Sequence, residues 1–289
     1  MILYLIEEGL LKMKETWRLL HTGWRSSAEN MAIDEAILIA HSEGKTPPTI
    51  RFYGWDPATL SIGYFQKVDK ELDMDRLRKR KLGFVRRPTG GRAVLHDQEV
   101  TYSVIVGEDY PGMPTSVTDS YRVISQGLLE GFRKLDLSAE MVPLETEEEK
   151  EKYASMGSAA CFDSPSNYEL VVEGRKVAGS AQTRQRGVIL QHGSILLDMD
   201  VDLLFDVLRF PSERVKQRLK EGFFQKAVAI NEVSTTPISV EQAVQAFTEG
   251  FAIGMDIHLE PGELTPYEET LAQDLVRTRY GTEAWNLKR

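Results

Sequence analysis

The sequence contains one cysteine, Cys161, and fifteen positions later a lysine, Lys176, stands in the turn-like stretch EGRK. A cysteine reacts as a nucleophile in its thiolate form, which a nearby cation favours. A lone cysteine is also often a buried, inert packing residue. A lysine in a tight turn is ordinarily solvated. Residue type alone therefore allows both a structural and a catalytic interpretation of Cys161 and of Lys176.

A second stretch that could do chemistry is RRPTGGRAVLHD, residues 86–97. Its adjacent glycines, Gly90 and Gly91, can adopt positive φ and let a ligand approach the backbone. Arg87 offers a cationic donor to an anion, and His96 is polarisable near neutral pH. A glycine turn with surface arginines explains the same residues equally well. His96 is equally consistent with a ligand contact and with a structural hydrogen bond, whereas His192 is predicted to be structural.

Strand patterns surround both stretches. Two predicted strands flank the glycines, GFVRRPT and AVLHDQEVTYSVIV. Three more are predicted after Cys161, namely YELVVEG, RKVAGSAQTR and GVILQHGSILLDMD, and they are joined by tight turns at EG and RG. Helical patterns begin at Ser26, with Glu29 completing a capping box, and also cover DKELDMDRLRKRKLG, residues 117–135 and most of the chain after residue 200. Runs of strands mixed with helices, without strict βαβ alternation, predict an α+β fold.

Composition limits the functional classes. Of 289 residues, 42% are hydrophobic and 27% charged, as in a globular protein with a substantial core. The net charge of −9 argues against nucleic-acid or anionic-membrane binding. One cysteine cannot form an internal disulfide, so we expect a cytoplasmic setting. The initial apolar run MILYLI is too short to span a membrane, and residues 1–15 are predicted to be a non-functional extension.

The two stretches resemble, in order and separation, the two signatures of the lipoate-protein ligase and octanoyltransferase family, which is related to biotin protein ligases. GRKVAGSAQ is similar to the second signature, in which the lysine faces the reacting carbonyl. The resemblance runs from about Thr16 to Met255. It implies a biotin/lipoate protein ligase-like catalytic domain at 16–255, with mixed β-sheets and flanking helices, and a short C-terminal strand–helix extension, 256–289, packed on it.

Within that family, the order of residues matters. Lipoate ligases usually have a third glycine where this chain has Arg92, which argues against nucleotide binding at this turn. One octanoyltransferase type has its cysteine shortly before a His-Gly pair, but none precedes His192 here. The cysteine of this chain lies before Lys176 instead. That order resembles the LipM type of octanoyltransferase.

The resemblance implies a chemistry. Cys161 takes an octanoyl group from acyl carrier protein as a thioester and passes it to a lysine of a lipoyl-accepting protein, such as the glycine cleavage H protein, in endogenous lipoate biosynthesis. Lys176 stabilises the thiolate and helps to move protons. Since a thioester is already activated, no ATP, cofactor or metal is expected. Backbone N–H groups of the glycine motifs are expected to hold the carbonyl oxygen. The implied substrate-binding residues are Arg87, Gly90, Gly91, His96, Ala178 and Gly179.

Three alternatives remain open. The first is an amidotransferase, which moves octanoyl between lipoyl domains and also uses a cysteine on this fold. The second is an ATP-dependent lipoate ligase, which needs no catalytic cysteine. The third is a module that binds an acyl carrier without catalysing a reaction. A basic cluster is interpreted either as a docking face for an acidic partner or as a helix with bases at its C-terminal end. It comprises Arg76, Arg78, Lys79, Arg80, Lys81, Arg86 and Arg87.

Overall fold

The computed structural model describes residues 14–143 and 168–288, so Cys161 lies outside the described residues. The strands are β1 (Thr16–Arg25), β2 (Thr49–Trp55), β3 (Thr59–Ile62), β4 (Gly83–Arg86), β5 (Val94–His96), β6 (Glu99–Gly107), β7 (Ala139–Pro143), β8 (Tyr168–Val172), β9 (Arg175–Gln185), β10 (Val188–Leu196) and β11 (His258–Pro261). The helices are α1 (Ser27–Ser42), α2 (Val68–Glu71), α3 (Met74–Lys79), α4 (Val117–Lys134), α5 (Val201–Val207), α6 (Glu213–Lys226), α7 (Ile230–Val233), α8 (Val240–Gly254), α9 (Pro266–Leu275) and α10 (Glu283–Asn286), with a π-helical turn at Val276–Tyr280.

The described strands form two mixed sheets. The large one has eight strands in the order β11-β1-β2-β6-β10-β9-β8-β7, and the small one has three in the order β4-β3-β5. β1 is parallel to β11 and β2, and the pairs from β2 to β7 are antiparallel. The predicted α+β fold with mixed sheets and flanking helices is confirmed.

Helices cover both faces of the large sheet because its strands alternate their side chains between the two faces. On β6, Val104 packs in the cluster that contains Phe247 and Phe251 of α8, whereas Ile105 packs with Ile37 of α1. A further cluster joins the small sheet to α5 and α6. The predicted site stretches therefore lie on strands that pack against helices.

The sequence DKELDMDRLRKRKLG was predicted to be one helix, and this prediction is wrong. It forms α2 and α3 with a break at Leu72 and Asp73. Leu72 makes a β-bridge with Leu208, and the Asp73 side chain accepts a hydrogen bond from the N–H of Arg76 at 3.0 Å. Tertiary pairing and a new N-cap thus override the continuous helical pattern.

The stretch after residue 255 contacts the rest of the chain at several points. β11 pairs with β1, and Glu268 of α9 forms a buried ion pair with Arg18 at 2.5 Å. The buried Arg86 guanidinium donates to the carbonyl oxygens of Asn286 and Lys288 at 3.2 and 2.7 Å. Among residues 14–143 and 168–288, no helix has both the length and the apolar character needed to cross a bilayer.

Candidate active site

A small cavity lies where β9 and β10 of the large sheet face the small sheet. Arg87, His96, Thr101, Gly179, His192 and Ser194 are among the residues that line it. Its volume is about 20 Å³, room for about one water molecule. An acyl chain can enter this cavity only if its walls move apart.

Arg87 holds the glycine-rich turn from inside. Its guanidinium donates to the Ser61 hydroxyl at 2.6 Å and to the carbonyl oxygens of Gly90 and Arg92 at 3.1 and 2.8 Å. Arg87 is buried, and so is Arg86. Their assignment to a basic docking face is therefore wrong, because both side chains bind backbone carbonyl groups in the interior.

The remaining bases of that cluster lie on the surface, and three of them contact acidic partners. Arg76 and Arg80 each contact Asp206 at 2.9 Å, and Arg78 contacts Asp75 at 2.8 Å. These aspartates partly offset the positive charge of the three arginines. The geometry therefore favours the alternative of a helix with bases near its C-terminal end.

The turn itself requires glycine. Gly91 has a φ of +91°, and a Cβ placed on the neighbouring Gly63 would lie 2.0 Å from the carbonyl oxygen of Gly91. Arg92, at the position where ligases usually have a third glycine, extends away from the turn to Glu71 of α2, with 3.5 Å between the charged groups. The bulky side chain is thus accommodated outside the cavity.

His192 joins the second signature to this turn. Its Nε2 lies 2.7 Å from the hydroxyl of Thr89, and its Nδ1 lies 3.3 Å from Oδ2 of Asp34 on α1. Burial lowers the pKa of His192, although the Asp34 carboxylate acts in the opposite direction. A neutral ring with its proton on Nδ1 satisfies both partners, since it donates to Asp34 and accepts from Thr89. The structural role predicted for His192 agrees with these contacts.

Asp34 is the centre of a fully buried polar network. It contacts Arg51 at 2.7 Å and accepts hydrogen bonds from the hydroxyl groups of Tyr53 and Ser103, both at 2.9 Å. Burial by itself raises the pKa of the Asp34 carboxyl, but the Arg51 charge and the His192 hydrogen bond outweigh it and lower that pKa. The carboxylate is therefore ionised and orients His192.

His96 is held by two polar partners and one aromatic ring. Its Nε2 lies 2.7 Å from the Ser61 hydroxyl and its Nδ1 3.0 Å from Oε1 of Glu99. The ring stacks on Trp55 at 4.2 Å between centroids. Because Ser61 also accepts from Arg87, His96 and Arg87 belong to one hydrogen-bonded unit. This arrangement fits a structural hydrogen bond, and the imidazole also borders the cavity.

Two adjacent residues of the second signature, Ala178 and Gly179, lie on opposite faces of β9, and only one of them borders the cavity. Gly179 lines the cavity, as does Ser194, which pairs with it on β10. The Ser194 hydroxyl is buried and has no hydrogen-bond partner among the described residues. Ala178 points to the other face of β9 and packs in the main core. The structure thus brings Gly179, but not the side chain of Ala178, to the cavity.

Lys176 is buried, contrary to the behaviour of an ordinary turn lysine. The side chain is 5% exposed, and its Nζ lies 2.8 Å from Oε2 of Glu169, whose side chain is 1% exposed. The turn before it, at Glu173 and Gly174, has positive φ at both positions. The carbonyl oxygen of Lys176 accepts a hydrogen bond from the N–H of Val228 at 2.9 Å, which fixes the backbone.

Several residues of this region were not predicted. Asp34 stands among the apolar residues of α1, and a charged residue in such surroundings is a signal for a buried partner. Glu169 is two residues before Val171, which pairs with Lys176, so hairpin register places both side chains on one face. Nothing in the sequence signals that Thr89 contacts His192.

A known protein family matches the part of the chain that contains these residues. Residues 26–252 match the family described as the Lipoyl protein ligase A/B catalytic domain. The chain belongs to this family. Its glycine-rich turn, buried Lys176 and His192 all lie within the matched range.

Relatives within the family cover nearly the whole chain. An Octanoyltransferase LipM from Brevibacillus brevis is 68% identical over 95% of this chain and 100% of its own length. An Octanoyltransferase LipM from Bacillus subtilis is 59% identical over 96% of this chain and 99% of its own. The resemblance to LipM-type octanoyltransferases is confirmed.

Solved structures agree on the fold. A bi-partite lipoate protein ligase from Thermoplasma acidophilum, studied with its E2 lipoyl domain, is 26% identical, with a TM-score of 0.78 over 96% of this chain and 98% of that one. A lipoate-protein ligase A bound with ATP is 27% identical, with a TM-score of 0.74 over 95% of this chain and 99% of that one. The α+β architecture is that of lipoate ligases.

Proposed function

We propose that this octanoyltransferase moves an octanoyl group from acyl carrier protein, through a thioester on Cys161, to a lysine of a lipoyl-accepting protein. The observation that carries the proposal is the burial of Lys176 with its ammonium held at 2.8 Å from Glu169. A lysine built into the interior fits a cation that serves a reaction. The nearly full-length similarity to octanoyltransferases supports the same conclusion.

The first half-reaction exchanges one thioester for another. The Cys161 thiolate attacks the carbonyl carbon of the carrier thioester, the new C–S bond forms, and the carrier sulfur leaves as a thiolate. Lys176 gives that sulfur a proton and becomes a neutral amine. Thiolate attack on a thioester is close to thermoneutral, so this step needs no nucleotide.

The second half-reaction makes an amide and restores the starting charges. The amine of the acceptor lysine attacks the Cys161 thioester, the C–N bond forms, and the Cys161 sulfur leaves as a thiolate. The proton released by the attacking amine returns to the neutral Lys176. The thiolate–ammonium pair is then regenerated, and the exchange of a thioester for an amide makes the overall transfer favourable.

The carbonyl oxygen carries negative charge in both tetrahedral intermediates and requires donors. Gly90, Gly91, Ala178 and Gly179 are the proposed sources of backbone N–H groups, while Arg87 and His96 are proposed to shape the acyl-binding wall. Arg87 acts through the turn that it holds, since its guanidinium binds the Gly90 carbonyl. We expect the reaction to take place in the cytoplasm.

A transfer assay with three donors tests the proposal. The purified protein is mixed with a lipoyl-domain acceptor, such as glycine cleavage H protein, and product is measured by mass. Octanoyl acyl carrier protein without ATP is expected to support transfer. Transfer only from an octanoylated H protein to a second lipoyl domain would indicate an amidotransferase. Transfer only from free octanoate with ATP would indicate a ligase.

A further inference from the structure

The hairpin of β8 and β9 brings a carboxylate to Lys176. Glu173 and Gly174 form its two-residue turn, with φ of 52° and 72°, as a type I′ turn requires. That turn pairs Val171 with Lys176. Glu169, two residues before Val171, lies on the same face of the sheet, and its carboxylate reaches the ammonium diagonally.

A β-bulge directs Lys176 into the interior. Val171 pairs with Lys176 but Leu170 pairs with Ala178, so Val177 is the extra residue on β9. Such a bulge re-aims side chains and is often found beside active sites. Lys176 and Val177 are consequently both buried, although they are adjacent on one strand.

The pair is buried as a unit. A buried ammonium without a counter-charge tends to lose its proton, so Glu169 makes it possible for Lys176 to remain charged inside the protein. Removing one partner takes away an opposite charge at 2.8 Å from a medium of low dielectric. Position and charge of Lys176 therefore both depend on Glu169.

We propose that Glu169 is a positioning residue for the transfer reaction, which fixes Nζ of Lys176 and keeps the lysine protonated in the resting enzyme, before the first half-reaction and after the second. The inference rests on the proposed function, because it assumes that Lys176 acts on the Cys161 sulfur. Glu169 also competes with the Cys161 thiolate for the same ammonium. It thereby sets the pH range in which thiolate and ammonium coexist.

Among the other charged groups on elements around the pair, Arg175 has carboxylate partners of its own and Glu140 lies at the surface. Arg175 contacts Glu173 at 3.5 Å and Glu232 of α7 at 3.7 Å. Glu140 of β7, on the row that includes Val171 and Lys176, is exposed. The charged residues on β7, β9, α6 and α7 near this pair are Glu140, Glu173, Arg175, Lys226 and Glu232.

Glu169→Gln tests the charge while keeping the shape. Without the carboxylate, Lys176 loses its proton more easily, because the anion that stabilises its ammonium is removed. The Cys161 thiol of the proposed site ionises more easily, because that site then holds one negative charge fewer. Both limbs of the bell-shaped pH dependence of transfer therefore move to lower pH, by roughly one pH unit. Since Cys161 is the only cysteine, the pH dependence of its alkylation by iodoacetamide reports the thiol alone.

Glu169→Asp tests the position while keeping the charge. The shorter side chain displaces Nζ, so kcat/KM should fall by roughly ten- to a hundred-fold while the limbs of the pH profile stay in place. This variant also keeps the proposal testable if Glu169→Gln does not fold.

Glu268→Gln is the matched control. Glu268 forms a comparably buried pair with Arg18, but it contacts β1, far from β8 in the sheet order. We expect it to lose stability without a shift of either limb. An alkylation midpoint in Glu169→Gln equal to that of the wild type and of Glu268→Gln would overturn the inference. Absence of acyl transfer by the wild type would instead refute the proposed function, and the alkylation result would still be measurable.

Discussion

Nε2 of His192 lies 2.7 Å from the hydroxyl of Thr89, although the two residues are 103 positions apart. This contact ties the strand that carries the second signature to the turn that carries the first. Asp34 holds the other side of the imidazole through Nδ1 at 3.3 Å. The two signatures are thus assembled around one buried histidine.

Asp34→Asn should strongly destabilise the protein. The substitution leaves the fully buried Arg51 guanidinium without its counter-charge, which typically costs about 3–5 kcal/mol of unfolding free energy. Urea unfolding followed by circular dichroism measures the loss. Glu43→Gln is the control, because Glu43 belongs to a surface pair with Lys45 and its removal should leave the unfolding midpoint unchanged. Equal midpoints for wild type and Asp34→Asn would contradict this account of the network.

His192 should make stability dependent on pH. Its pKa is lowered by burial in the folded state, so below about 6.5 the unfolded chain binds the proton more readily and the folded state loses stability. We expect wild-type unfolding free energy to fall between pH 7.5 and pH 5.5. His192→Gln should make the unfolding free energy less dependent on pH over this range, because the buried imidazole with the lowered pKa is removed. If the unfolding free energy of both proteins depended on pH in the same way, burial of the His192 ring would not be the cause of the loss.

Gly63→Ala should disturb the glycine-rich turn. The new Cβ would lie 2.0 Å from the Gly91 carbonyl oxygen, and relieving this clash displaces the turn at a cost of roughly 1–3 kcal/mol. Acyl transfer should fall together with stability. Gly222→Ala, in α6, meets no atom within 4 Å and should be neutral or slightly stabilising. A Gly63→Ala protein as stable and as active as Gly222→Ala would rule out this close approach.

Local patterns in the sequence predicted much of the fold. The capping box at Ser26 and Glu29 begins α1, and the Glu173-Gly174 turn sets the β8–β9 hairpin. These features depend on residues close together in the chain. By the same logic, hairpin register could have identified Glu169 as a neighbour of Lys176.

Features that depend on distant segments were not predictable in this way. The break between α2 and α3 follows from a bridge to Leu208, more than a hundred residues away. Arg87 was interpreted either as a cationic donor to an anion or as a surface arginine beside a glycine turn, and its guanidinium donates inside the protein to Ser61 and to the turn. Only the packing of the two sheets determines which polar groups those side chains reach.

Intact-mass analysis of the protein after incubation with octanoyl acyl carrier protein tests the central claim most directly. The account predicts a mass increase of one octanoyl group in the wild type without ATP, absent from Cys161→Ala and discharged when a lipoyl-domain acceptor is added. A wild type that gains no mass, or an adduct that persists in Cys161→Ala, would contradict transfer through a Cys161 thioester.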